Sequence, residues 1–311
     1  MKILITGGTG YLGGRIVEYF LQKKKIVIIA TRERENDNNF SGAKIKNINW
    51  DDNSSLLNIC HDVDVIIHAA GINANECIKD PEKALEFNGR TTARLLESAI
   101  TQKVSKFIFL STAHVYSNPL VGKINELSFT QNLHPYATSK IEGENAVLNA
   151  NPNIKSVALR LANVVGAPTH KNADCWMLLI NNLCKQTVLY KKMIINSSVL
   201  LERNFISIGD VNRFLEYLIT EKKDFWKYKI YNLAGKKSFS ILEIAKIIQN
   251  ISTKLLGYEP EISFKEKLND GIVEKLDYSS IRMKEFEFET KIDIEIEIKN
   301  TLLFCKKNFT L

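Results

Sequence analysis

Tyr136 and Lys140 stand four positions apart in the stretch HPYATSK, so a helix puts both on one face. A phenol titrates near ~10 and a lysine ammonium near ~10.4. An ammonium held beside the phenol favours phenolate and brings the tyrosine into range for proton transfer at neutral pH. His134-Pro135 precedes the pair, and proline suits a helix's first turn. Alone, such a pair is ordinary surface decoration. A second polar group changes that, because the apolar run KFIFLST ends in Ser111-Thr112. Parallel sheets bind ligands outside the carboxyl ends of their strands, so a hydroxyl there can hold the same substrate oxygen that Tyr136 protonates or deprotonates.

An anion site accompanies them. In LITGGTGYLGGRI, Gly7, Gly10 and Gly13 form G-x-x-G-x-x-G between an apolar run and an amphipathic one. The first glycine permits a tight turn, the second lets backbone approach a phosphate, and the third lets helix and strand pack closely. The unpaired N–H groups and dipole of the following helix favour a pyrophosphate. Glycines alone are a weak signal; their place at the first strand–helix junction makes them a candidate dinucleotide turn. Roughly 20 residues on, an acid would bind adenosine ribose hydroxyls. There IIATRERE offers Thr31 and Arg32, with no carboxylate before Glu33. A guanidinium can clasp a 2′-phosphate through paired hydrogen bonds, so Arg32 favours NADP(H) over NAD(H). The plainer alternative is a solvent-facing arginine in a loop that also holds Glu33 and Arg34.

The elements that must position these residues are legible as alternation. KILITG, KIVIIATR, VDVIIHAAG, KFIFLST and KSVALRLANVV are continuous apolar runs, as in a parallel sheet covered on both faces. Between them Ile16, Val17, Phe20 and Leu21, and later Leu95, Leu96, Ala99 and Ile100, recur at helical spacing. The alternation predicts an α/β fold with a Rossmann-type doubly wound parallel sheet. After residue 166 the rhythm loosens. CWMLLINNLCK predicts a helix, KYKIYNLAG a strand and SILEIAKIIQNI an amphipathic helix. The tail EFEFETKIDIEIEIKNTLLFCKK alternates like a strand, yet Ile294, Ile298 and Leu302 (or Cys305) also share one helical face. The expected layout is a dinucleotide-binding domain over 1–166, rejoined by 201–235, with a smaller C-terminal substrate lobe drawn mainly from 167–200 and 236–311.

The 311 residues are 45% hydrophobic and 25% charged, ordinary for a globular chain with a sizeable core. No apolar run is long enough to predict a membrane span, and the opening KILITGG reads as a strand rather than a signal peptide, so a cytoplasmic location is expected. The five cysteines lack C-x-x-C spacing, which predicts reduced thiols, with no metal site and no disulfides. The net charge of +7 comes from scattered basic residues without interleaved aromatics. That pattern argues against nucleic acid and fits a solvated surface that can gather a small anion.

Taken together, these motifs make the chain resemble the extended short-chain dehydrogenase/reductase superfamily, in its nucleotide-sugar epimerase/dehydratase-like branch. TGGTGYLG looks like that family's cofactor turn, which implies contacts from Gly7, Gly10, Tyr11, Leu12 and Gly13. YATSK resembles its Y-x-x-x-K, and HAAG its small-residue stretch, placing Ala69 and Ala70 beside the cofactor. STAHVYS resembles S-[ST]-x-x-V-Y-G, which implies Thr112 as the catalytic hydroxyl and Ser111 as a cofactor contact. RLANVVGAP implies that Asn163 lines the junction of cofactor and sugar, and RNFISIGDV that Arg203 grips a nucleotide diphosphate. Asn88 resembles a helix asparagine that is structural or part of a proton relay, and Asn49-Trp50 occupies the place that usually flanks adenine. Thr112 is followed by Ala113-His114, where 4,6-dehydratases of the branch carry Asp-Glu, so dehydration lacks its proton carriers.

The function expected is reduction of a nucleotide-linked 4-keto sugar by NADPH, with Thr112, Tyr136 and Lys140 at the reaction centre. The alternative is a nucleotide-sugar 4-epimerase with tightly bound NAD(P), and a third reading is a noncatalytic NADP-binding protein. The resemblance also implies a homodimer, paired through the helices near Asn88 and Tyr136. His61 and His170 read as loop or surface histidines and His68 as satisfying a backbone group. Trp176 reads as lobe core, and His114 as able to face the sugar.

Overall fold

The computed structural model describes residues 1–32, 40–196, 201–220, 225–265, 274–286 and 288–310, so Glu33 and Arg34 lie outside the described residues. The apolar runs become β1 (Lys2–Thr6), β2 (Ile26–Thr31), β3 (Lys44–Asn47), β4 (Val65–His68), β5 (Lys106–Thr112), β6 (Lys155–Leu161) and β7 (Ile230–Leu233). These seven strands form one sheet in the order β7-β6-β5-β4-β1-β2-β3, every pair parallel. The order reverses between β1 and β4, the crevice where doubly wound sheets bind ligands. Only β3, of sequence KIKN, is not an apolar run. It is one of the sheet's two outer strands, where lysines are tolerated and discourage edge pairing.

Side-chain alternation sends each strand's residues to two cores. On one face Ile3 and Ile5 meet Ile16, Val17 and Phe20 of α1 (Tyr11–Gln22). On the other, Leu4 and Ile66 meet Leu56 and Ile59 of α2 (Asn53–Cys60) and Leu95, Leu96 and Ala99 of α3 (Thr91–Thr101). The helix carrying Tyr136 and Lys140, α4 (Pro135–Leu148), packs on this second face through Val147.

A third core belongs to the lobe. It joins α5 (Leu179–Tyr190), α7 (Ile241–Leu256) and α8 (Ile294–Phe309), while α6 (Ile208–Thr220) lies on the sheet's first face. One local outcome differs from the sequence expectation. The helix expected over CWMLLINNLCK begins only at Leu179, leaving Trp176 to pack its ring against Phe304 and Phe309 of α8. Leu276 and Phe288 pack with the sheet's core rather than the lobe's.

The ambiguous tail is a helix. Asp293 caps it by accepting from the Glu295 N–H, Glu295 and Glu297 occupy its first turn, and Lys306 and Lys307 its last, which complements the helix dipole. Ile294, Ile298, Leu302 and Cys305 are buried in the lobe core, while Ile296, which a strand would place beside them, is 54% exposed. Leu302→Ala is therefore expected to cost about 2–5 kcal/mol in urea unfolding, and Ile296→Ala less than about 0.5 kcal/mol. Equal losses at the two positions would contradict the helical face.

Candidate active site

Two cavities meet at the sheet's switch point. A trough of about 380 Å³ is lined by Gly7, Gly10, Arg32, Trp50, Ala70 and Lys140. A second cavity, of about 490 Å³, is lined by Thr112, His114, Asn163, Leu178, Asn204 and Tyr278. Tyr11, Asn73 and Tyr136 line both. Among the described residues lining the second cavity there is no aspartate or glutamate.

The trough begins at the glycine turn. Gly7 has φ +67°, and a Cβ there would stand 2.8 Å from the Ala70 backbone, so only glycine lets the turn after β1 lie against the segment after β4. A Cβ at Gly13 would stand 2.1 Å from the Gly7 carbonyl oxygen, which explains the third glycine by packing. No side chain caps α1 at Gly10, and its first turn holds no acid. Its leading N–H groups are therefore left for an anion beside the trough, a donor set that fits the diphosphate of a dinucleotide.

At the far end of the trough, Trp50 meets Phe87 edge-on, ring centroids 5.3 Å apart, and the Arg32 guanidinium lies 5.8 Å from the Phe87 ring. Thr31, Ala69 and Ala70 line the same trough, and Leu12 lines the second cavity. Asn49 does not join them. It is exposed, its side chain accepting from the Asp51 N–H, because the chain turns there toward α2 and presents Trp50 alone.

Local sequence explains why α4 carries its pair to the junction. Pro135 takes the first helical position, and His134 caps the helix by accepting from the Tyr136 N–H. Asn88 then pins the helix: its amide donates to Ser139 Oγ at 3.0 Å, and its Oδ1 accepts from the Ile72 N–H at 2.8 Å. Asn88 sits in a π-turn, Leu85–Arg90, that leads into α3. Lys140 donates to the Leu110 carbonyl at 3.1 Å and lies 4.8 Å from the Phe109 ring.

The electrostatics differ from the sequence expectation. Burial pushes the Tyr136 phenol up to about 12, the Cys77 thiol adds to the rise, and a hydrogen bond with Thr112 opposes it. Burial brings the Lys140 ammonium down to about 8. The ammonium is occupied by the Leu110 carbonyl, and the phenol's position is dominated by desolvation rather than by lysine.

Ser111 lines the second cavity and is also part of a buried network. Its hydroxyl donates to Glu144 of α4, which also accepts from Arg160 Nε at 2.9 Å and from its Nη2 at 2.6 Å, all three residues buried. The hydroxyl is thus committed to holding β5, α4 and β6 together. Asn163 lines the second cavity and donates to the Asn204 carbonyl. Arg203 is not among the residues lining either cavity; it adjoins Asn204, which lines the second, and is half-buried with no carboxylate partner among the described residues. His114 does face the second cavity; burial, then Arg203 and His134, hold its imidazole below the usual value.

The His68 ring bonds two side-chain hydroxyls rather than a backbone group. Thr92 Oγ1 donates to the Asn88 carbonyl, so its remaining contact, 2.9 Å from His68 Nε2, must be accepted from the ring. Nδ1 is then the acceptor for the Thr6 hydroxyl at 2.6 Å, and Thr6 in turn accepts from the Ala70 N–H. This chain ties the trough floor to the Asn88 turn. Sequence reasoning missed Thr6 and Thr92, although Thr6 and His68 each close an apolar run and sit side by side in register. It also missed Asn73 and Phe87, which no local pattern marks.

Burial, followed by the nearby Lys140 charge, pushes His68 down to about 3. The folded pKa is below the unfolded value of ~6.5, so the unfolded chain binds the extra proton and stability falls as pH drops from ~6.5 toward ~3. His68→Phe leaves two hydroxyls without their partner and is expected to cost about 2–6 kcal/mol at pH 7. Because only the parent carries the acid penalty, the gap should narrow by about 2 kcal/mol between pH 7 and pH 5 in urea titrations. A gap unchanged by pH would contradict a neutral buried imidazole.

The chain is 28% identical over 292 residues to a UDP-glucose 4-epimerase of Erwinia amylovora, covering 83% of this chain and 85% of the relative. It is 29% identical over 276 residues to a dTDP-D-glucose 4,6-dehydratase of Dictyostelium discoideum, covering 81% and 62%. In fold it is similar to a UDP-glucose 4-epimerase of Thermotoga maritima solved with UDP-glucose, at TM-score 0.82 and 22% identity over 99% of both chains. The model of the NAD dependent epimerase/dehydratase family matches residues 3–234. With the glycine turn, the trough and the helix of Tyr136 all inside that span, the chain belongs to the NAD dependent epimerase/dehydratase family and is an enzyme of the extended short-chain dehydrogenase/reductase type.

Proposed function

We propose that the chain is a nucleotide-sugar 4-epimerase that uses NAD, acting on a UDP-linked hexose. The observation that carries this reading is Tyr136, the one proton-transfer residue of the Thr112, Tyr136 and Lys140 set that lines both cavities. The absence of carboxylates among the described lining of the second cavity disfavours elimination of water. The 4-keto-sugar reductase suggested by Arg32 gives way to the epimerase alternative, which the UDP-glucose 4-epimerase relatives support.

The trough would hold the cofactor through the α1 N–H groups at the diphosphate and through Trp50 and Phe87 at the adenosine. When bound, NAD supplies reversible hydride exchange with C4 of the sugar. Acting as the phenolate, the form that a positive charge held nearby favours, Tyr136 takes the 4-hydroxyl proton and returns it to the inverted oxygen, with Thr112 hydrogen-bonded to the phenol. Lys140, anchored on Leu110, keeps a cation beside the phenol's end of the trough. Asn163, which lines the second cavity, would face the sugar, and Arg203, half-buried beside the lining residue Asn204, would suit the substrate diphosphate. Arg32 at the trough's outer end can pair with a 2′-phosphate, so NADP(H) is expected to bind as well as NAD(H). A homodimer paired through α4 and the helix after Asn88 completes the proposal, with light scattering as its measure.

Incubated with UDP-glucose, the protein is expected to give a second UDP-hexose without net change in reduced cofactor, and Tyr136→Phe to lower kcat by about 10²–10⁴-fold while cofactor stays bound. Stoichiometric NADPH consumption with a 4-keto nucleotide sugar would restore the reductase, and product lighter by one water would establish a dehydratase.

A further inference from the structure

Residues 166–174 lie across the glycine turn on their way into the lobe. The Gly166 carbonyl accepts from the Tyr11 hydroxyl at 2.9 Å. Thr169 packs so closely on Gly14 that a Cβ there would stand 2.8 Å from its Oγ1. His170 Nε2 lies 3.0 Å from the Thr9 carbonyl; a carbonyl only accepts, so this nitrogen carries the hydrogen and donates. The His170 ring is held edge-on by Phe40, centroids 6.4 Å apart. Asp174 accepts from the Asn73 side-chain amide at 3.0 Å.

Thr9 belongs to the turn after β1 and Asn73 to the segment after β4, so the two grips fall on opposite banks of the trough. Thr9, Asn73 and Asp174 all line it. We propose that residues 166–174 form a clasp that retains the dinucleotide between turnovers, with His170 and Asp174 as its positioning residues. The inference rests on the NAD-dependent epimerase reading and deepens it. An epimerase returns hydride to the sugar it came from, so its cofactor need not leave, whereas a reductase must exchange cofactor at every turnover. A strap bonded to both banks suits the first and obstructs the second.

The test follows release of NADH from the loaded protein, by loss of its fluorescence when excess NAD is added. Each hydrogen bond removed is expected to speed release by up to about tenfold, so His170→Ala with Asp174→Ala should release about 10–100-fold faster. His170→Gln with Asp174→Asn keeps a donor for Thr9 and an acceptor for Asn73, and should return release to within about threefold of the parent. Asp174 is exposed, so Asp174→Ala alone folds if the double variant does not, and should release several-fold faster. Parent-like release from the folded alanine variants, or equally fast release from the conservative pair, overturns the clasp while sugar interconversion by the parent still stands. A parent that takes up neither NAD nor NADP overturns the functional reading itself.

Discussion

The architecture of the site depends on one close approach. Where β1 ends, Gly7 lies so near the Ala70 backbone that any side chain would strike it, and at that point the strand order reverses. The approach brings the turn that leads into α1 beside the segment that follows β4. It leaves α1's first N–H groups on one bank of the trough and the Ala69–Ala70 segment on the other. Gly13 adds the second half of the constraint, since α1 can pack on the turn only without a Cβ there. The trough is thus an outcome of backbone packing, and its chemistry is supplied by what neighbouring strands bring to its ends.

What they bring is held by buried polar networks rather than by apolar packing alone. Glu144 of α4 is joined to Ser111 of β5 and Arg160 of β6, and the pair of charges is almost wholly out of water. A buried ion pair contributes little net stability against an apolar substitute, but breaking one side leaves a costly unpaired charge. Its effect here is geometric: it fixes the register of α4 against the strand carrying Thr112. Asn88 fixes the same helix from the other side through Ser139. The His68 chain extends that support to the floor of the trough. Tyr136 is therefore positioned by three networks, of which the one through Ser111 also reaches the wall of the second cavity.

The parts legible in the sequence are those that local spacing determines. The glycine turn, the Tyr136–Lys140 face and the alternation of apolar runs with amphipathic helices depend on neighbours within a few residues, and each stands where its pattern implied. The tail was ambiguous because Ile292, Ile294, Ile296 and Ile298 satisfy a period of two, while Ile294, Ile298 and Leu302 satisfy a helix; only the lobe core decides between them. The hydrogen bond of Ser111 depends on a glutamate 33 residues away, the hold of His170 on a carbonyl 161 residues away, and the rise of the Tyr136 phenol on desolvation by the fold around it. None of these leaves a mark in the surrounding sequence. Arg32 does line the trough, yet neither a 2′-phosphate preference nor the direction of the reaction is written in one cation at its outer end.

A single phenol, Tyr136, is proposed to serve both cavities. A crystal structure of the protein with NAD and a UDP-hexose tests it most directly. The account places the Tyr136 oxygen within about 2.6–3.2 Å of the sugar's 4-oxygen, with the redox ring at the same end of the trough. A sugar whose 4-oxygen is held by other residues, with Tyr136 facing only solvent or protein, would contradict it.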